Sequence, residues 1–182
     1  MYYPNLNNLS TEFKSYLRSH TIFEHFRKGQ IILSPGNAEH KAWFIKKKGI
    51  AKIFYYTEEG KQITISFFKE GEVLTCVENF FLGTHSDHYI EVLEDCDLYS
   101  ITKSEFEKCC ELFEEANQVA REIILSYVNK SNQRADLFRL PAKEKYHTFN
   151  KQFNTARLSV IDLSSFLMLN PSYLSTIRQH KR

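Results

Sequence analysis

The chain has 182 residues, 42% of them apolar and 25% charged, at a net charge of +2; it can bury a substantial core, and no run approaches the roughly 18 apolar residues of a membrane span. Residues 139–182 carry eight Lys and Arg against two acids, or +6, which leaves 16 bases and 20 acids, or −4, for the rest. An acidic body with a basic C-terminal segment points to a polyanionic partner for that segment alone.

The first thirty residues lack a basic stretch followed by an apolar one, so a cytoplasmic protein without membrane attachment is expected. All six glycines fall between Gly29 and Gly83, and from Gly36 onward they recur every 11 to 13 residues. Between and after them lie QIIL, AWFIKKK, IAKIFYY, QITISFF, YIEVL and DLYSI, rich in β-branched and aromatic residues. Short strands at such spacing predict an antiparallel barrel or roll. Thr57-Glu58-Glu59-Gly60 reads as a hairpin loop with glycine in the left-handed position. The four cysteines, Cys76, Cys96, Cys109 and Cys110, show neither C-x-x-C nor zinc spacing. Reduced thiols, no metal site and no cofactor are expected.

From Lys103 the apolar period becomes helical. Ser104 is the expected cap, followed by an apolar ladder at Leu112, Ala116, Val119, Ala120, Ile123, Ile124, Tyr127 and Val128. A helix over about 115–138 would span about 36 Å. Its stripe at Ala116, Ala120, Ile123, Tyr127 and Arg134 predicts a seam with a second copy, hence a homodimer; the alternative is that the stripe packs on the chain's own barrel. Leu140-Pro141 ends the helix.

In LSVIDLSSFL, Ser159 and Asp162 have capping-box spacing, and Leu158, Ile161, Leu163, Phe166 and Leu167 are expected on one apolar face. Asn170 then caps a second helix with Pro171 in its first position. Tyr173, Leu174 and Ile177 are expected inward, with Ser172, Ser175, Thr176 and Gln179 outward. Two short helices across a tight turn predict a helix-turn-helix. Small polar side chains would let the second helix enter a DNA major groove, while Arg178, Lys181 and Arg182 would meet phosphates. The alternative is an ordinary helical hairpin.

Six segments in order resemble the Crp/Fnr transcription regulators: RKGQIILSPGN with AWFIKKKGIAKIFY, EGKQITISFFKEGE, YIEVLEDCDLYSITKSEF, LPAKEKY and LSSFLMLNPSYLSTIR. The resemblance covers about Leu9 to Arg182. It implies an α+β chain: a cyclic-nucleotide-binding-like antiparallel β-roll sensor at 1–114, a dimerisation helix at 115–138 and a helix-turn-helix domain at 139–182. It implies double-stranded DNA, a second copy of the chain and RNA polymerase as partners, with a small-molecule effector and no enzymatic activity. The family holds its nucleotide with a Gly-Glu pair and, a few residues later, an Arg-Ser or Arg-Thr pair. Here Thr75-Cys76 stand at or near the first pair, and no Arg or Lys lies between Glu70 and Glu94. A buried cyclic phosphate without a cationic partner is costly, so cyclic AMP is not the expected ligand. The effector segment implied is Thr75, Cys76, Val77, Glu78, His85, Ser86 and His88. No cysteine precedes Cys76, so the iron–sulfur sensing of some members is not expected. The family usually places Arg and Glu on the recognition helix and Gly in the turn. Met168, Ser172, Ser175 and Thr176 stand here instead, so its target sequence does not carry over.

Two other readings remain. His85, His88 and Glu91 on a roll suggest a cupin-like metal site, although His88 and Glu91 fall on opposite faces of a strand. A sensor without DNA would dock its terminal helices on a protein.

Overall fold

The computed structural model describes residues 9–37 and 39–179. Eight strands form at the β-branched and aromatic runs: β1 Ile22–Phe26, β2 Ile31–Leu33, β3 Lys41–Lys47, β4 Ile50–Tyr56, β5 Gln62–Lys69, β6 Val73–Leu74, β7 Tyr89–Val92 and β8 Cys96–Thr102. They make two four-stranded sheets in the orders β1-β8-β3-β6 and β2-β7-β4-β5. β8 pairs antiparallel with both β1 and β3, with Phe23 opposite Tyr99 and Phe44 opposite the same residue. Ile90 and Val92 in β7 and Cys96, Leu98 and Ser100 in β8 are buried in alternation, whereas β4 is buried continuously from Ile50 to Phe54.

The β3–β4 turn needs its glycine. At Gly49, φ is 142°, and a Cβ built there would stand 2.3 Å from the Cβ of Cys96. The expected hairpin loop at 57–60 also forms: Gly60 has φ 76°, and its N–H donates to the Thr57 carbonyl at 2.9 Å.

The helices are α1 Thr11–His20, α2 Val77–Leu82, α3 Lys103–Leu112, α4 Glu114–Phe138, α5 Ala142–Gln152, α6 Val160–Leu167 and α7 Pro171–Gln179. α1 was not legible in the sequence reading above; the Ser10 hydroxyl caps it by accepting from Phe13 N–H at 3.1 Å. α3 begins one residue before the expected cap, because Thr102, not Ser104, accepts from Glu105 N–H. The chain then turns extended at Phe113, so the expected ladder is split between two helices.

The chain divides into two compact units, Met1–Ile53 with Phe67–Val128, and Phe54–Ser66 with Asn129–Arg182. In the first, Ala116 packs with Phe13 and Cys109, and Ala120 packs against Ala42, Phe80 and Phe106. Ile123 is buried as well. The stripe expected to form the seam therefore serves the chain's own core over Ala116, Ala120 and Ile123. The large apolar residues that α4 leaves exposed are Ile124, Leu125 and Val128 in this unit and Phe138 at the helix's end. A 3.6-residue period identifies a face but not its neighbour.

In the second unit Phe149 stacks on Phe153 at 5.6 Å and meets Phe166 at 4.7 Å. Arg134 lies over the rings of Phe138 and Phe166 and donates to the carbonyls of Thr64 and Phe166. It too is occupied within the chain. Ser165 Oγ accepts from Thr64 N–H and donates to the Gln62 carbonyl, both at 2.8 Å, so a side chain of α6 satisfies backbone groups of strand β5.

Candidate nucleic-acid interface and effector segment

α6 starts at Ser159, whose hydroxyl accepts from Asp162 N–H at 3.0 Å and donates to its carboxylate at 2.6 Å. The short Asp side chain closes the cap on the hydroxyl. At its other end, Met168 N–H donates to the Ser165 carbonyl and Leu169 N–H to that of Ser164, a Schellman closure. Met168 has φ 54° and ψ 47°, a left-handed conformation usually given to glycine.

Two residues on, Asn170 Oδ1 accepts from the N–H groups of Ser172 and Tyr173 at 2.9 and 3.3 Å, and Pro171 opens α7. Leu174 and Ile177 anchor this helix inward. Two expected anchors are corrected. Ile161 is 68% exposed on α6 and Tyr173 48% exposed on α7, because each lies off the stripe that meets the core of its unit.

Ser172, Thr176 and Gln179 are exposed and Ser175 half-buried. Among the described residues the side chains of Ser172, Ser175 and Gln179 make no hydrogen bond, whereas Thr176 Oγ1 donates back to the Ser172 carbonyl at 3.2 Å. Arg178 is half-buried and donates from Nη1 to the Leu158 carbonyl at 3.3 Å and from Nη2 to that of Thr155 at 3.2 Å. Its guanidinium is thus partly committed to its own unit. Lys181 and Arg182 lie outside the described residues.

The expected effector segment runs from the end of β6 through α2 to β7. Thr75 is buried and donates to the Lys41 carbonyl at 3.0 Å. Cys76 is buried; burial pushes its thiol up to about 11, and a hydrogen bond with Ser86 offsets part of this. Ser86 Oγ donates to the His88 carbonyl and accepts from His88 N–H, at 3.0 and 3.1 Å. The structure thus brings Cys76, Ser86 and His88 together. Val77 is half-buried, while Glu78 and His85 are exposed. The cavity beside them, lined by Thr75, Val77, Ile123 and Tyr127 among others, has a volume of about 20 Å³. Small-molecule sites generally need about 300 Å³ or more.

Asn79 is a member the sequence reading missed. Its Nδ2 bonds His40 Nδ1 at 3.1 Å and the Thr84 carbonyl at 2.6 Å, while its buried Oδ1 has no hydrogen-bond partner among the described residues. A lone amide inside VENFFL was the available signal.

Glu91 pairs with Lys52 at 2.9 Å, and the described residues contain no group of three potential metal ligands, so His85, His88 and Glu91 are not assembled as a cupin-like site would need. All four cysteines are unpaired, and burial raises the pKa of each. Protonated thiols react poorly.

Residues 23–112 match the family model of the cyclic nucleotide-binding domain. No curated protein sequence matches the chain. Among solved structures, FixK2 from Bradyrhizobium japonicum aligns with a TM-score of 0.74 and 15% identity over 88% of this chain and 83% of its own. The regulator CLP of Xanthomonas campestris, described as c-di-GMP responsive, aligns at 0.74 and 11% over 94% and 91%. A candidate transcriptional regulator of the crp/fnr family from Eubacterium rectale aligns at 0.72 and 15% over 98% and 86%. At such identities the likeness shows the fold. The two antiparallel sheets and their helices therefore have the architecture of the Crp/Fnr regulators. Residues 23–112, just under half of the chain, carry the likeness to the cyclic nucleotide-binding domain. Among the described residues no helix is long and apolar enough to cross a membrane.

Proposed function

We propose that this is a sequence-specific, dimeric DNA-binding transcription regulator of the Crp/Fnr type, with α6 and α7 as its helix-turn-helix and an effector other than cyclic AMP. The observation that carries the reading is the outward face of α7, where the side chains of Ser172, Ser175 and Gln179 make no hydrogen bond among the described residues while Leu174 and Ile177 hold the helix from behind. Such a face can enter a groove about 12 Å wide and offer donors and acceptors to base edges. The +6 charge of residues 139–182, including Lys181 and Arg182, supports phosphate contact. Ile124, Leu125 and Val128 give α4 an exposed apolar surface for a second copy. Two copies would read half-sites roughly 34 Å apart on a near-palindromic operator. The sensor role is assigned to 1–114, coupling to 115–138 and DNA reading to 139–182. RNA polymerase is the further partner such a regulator would meet.

Selection of bound duplexes from a random pool tests this directly. The expected result is a palindromic consensus whose affinity falls steeply with salt, and whose base preference Thr176→Ala alters. Binding that ignores both salt and sequence would favour a protein-docking hairpin instead. Against cyclic AMP, the argument is the 20 Å³ cavity and the Cys76–Ser86 contact where a cation would be needed. Calorimetric titration with cyclic AMP and cyclic GMP should show no binding at micromolar concentrations.

A further inference from the structure

A second cavity lies in the first unit, on the face of β3 and β8 that is covered by α1, α3 and α4. Its volume is about 530 Å³, and it opens to solvent on one side. That falls within the range of about 300–1,000 Å³ typical of small-molecule sites. Its walls are apolar, formed by Phe13 and Leu17 of α1, Ala42 and Phe44 of β3, Phe106 of α3 and Val119 of α4. The polar groups that line it have one character. Arg18, Thr21, Lys46 and Tyr99 all bring N–H or O–H donors, and among the described residues no Asp or Glu lines the space.

The two cations are available. Among the described residues Arg18 has no hydrogen-bond or ion-pair partner, and Lys46 makes one hydrogen bond, to the Tyr99 hydroxyl at 2.9 Å. Lys46 Nζ also stands 5.0 Å from the centre of the Tyr99 ring, which keeps it at the cavity rim. Both residues are exposed, so a charged head held there keeps contact with water while its apolar body is buried.

We infer that this cavity is a binding site for an apolar carboxylic acid, with Arg18 and Lys46 receiving the carboxylate and the walls of α1, β3, α3 and α4 taking the hydrocarbon. An apolar body matches the lining. The anion matches a rim that, among the described residues, carries two positive charges and no negative one. The site is distinct from the 20 Å³ cavity beside Thr75, although Val73 and Ile123 line both. It does not depend on whether α7 reads DNA.

Trp43, the single tryptophan of the chain, forms part of the wall and reports on occupancy. Full-length protein is titrated with dodecanoate below its micellar concentration while Trp43 emission is followed, and methyl dodecanoate serves as the neutral control. The expected result is a saturable change at one acid per chain, with the ester at least about tenfold weaker. Arg18→Gln with Lys46→Gln should remove the preference for the acid without changing the melting temperature, both residues being exposed. Val119→Phe should fill the space and abolish binding of acid and ester alike. The inference is overturned by the absence of a saturable signal, by equal affinity for acid and ester, or by binding that survives Val119→Phe in a protein that still melts cooperatively.

Discussion

Residues 75–88 and residues 170–179 both carry serine and threonine, yet Thr75 and Ser86 in the first and Ser172 and Ser175 in the second use their hydroxyls in opposite ways. In the first, Thr75, Ser86 and Asn79 are buried and turned onto the chain's own backbone or onto His40. In the second, Leu174 and Ile177 are the buried pair, and the hydroxyls of Ser172 and Ser175 make no hydrogen bond to a described residue. A buried polar group must find its partner inside the fold, whereas an exposed one is free to exchange water for a ligand. The contrast separates a segment that closes a structure from a segment that reads something outside it.

The sharpest way to break the contrast is to remove what holds the outward helix. Leu174 is fully buried, so Leu174→Ala should lower stability by about 3–4 kcal/mol. Urea denaturation followed by circular dichroism measures it, and a loss below about 1 kcal/mol would mean that α7 is not anchored there.

Arg178 tests the boundary between the two modes, since it lies on the outward helix but donates to the carbonyls of Thr155 and Leu158. If those bonds are its main role, Arg178→Ala costs about 1.5–3 kcal/mol of stability, and Arg178→Lys recovers little, because an ammonium cannot span two carbonyls as a planar fork does. A purely phosphate-binding Arg178 would leave stability unchanged and lower the salt slope of DNA binding by about one. The hydrogen bonds favour the first outcome, with reduced DNA affinity following from a displaced helix.

Next in size is the turn. Met168 is 53% exposed and adopts left-handed angles that disfavour a residue with a Cβ. Met168→Gly should raise stability by about 1 kcal/mol, read as an upward shift of the urea midpoint. No gain would show that the thioether side chain contributes as much as the conformation costs.

The strands were legible because β-branched runs between regularly spaced glycines have few other solutions, and QIIL, AWFIKKK, IAKIFYY and QITISFF became β2 to β5. The two terminal helices were legible from Ser159, Asn170 and Pro171, whose capping chemistry is local. β6 and α2, two and six residues long, carry too little periodicity to be seen. α1 was hidden because Phe13 and Leu17 alone do not make a pattern, and with it went one wall of the apolar cavity. The stripe of α4 was read correctly as a packing face and assigned to the wrong partner, since Ala116 and Ile123 meet their own unit. Destination is set by tertiary contacts, on which residue spacing is silent.

The smallest expected effect returns to the inward segment and concerns His88. Burial, the dominant influence, pushes its imidazole below the ordinary histidine range, while Asp87 and Glu78 pull it partly back. The folded chain therefore keeps His88 neutral at pH values where the unfolded chain has already protonated it. Below about pH 6.5 the unfolded state binds the additional proton, so stability falls as pH drops; above that value neither state is charged at this site and the contribution is flat. Urea midpoints measured at about pH 7.5 and pH 5.5 should converge slightly in His88→Gln relative to the parent. The change is modest because His88 is only half-buried and its surroundings remain partly hydrated. An unchanged pH slope in the variant would mean that residues 86–88 open to water without unfolding. The inward segment would then share the solvent access that now distinguishes α7.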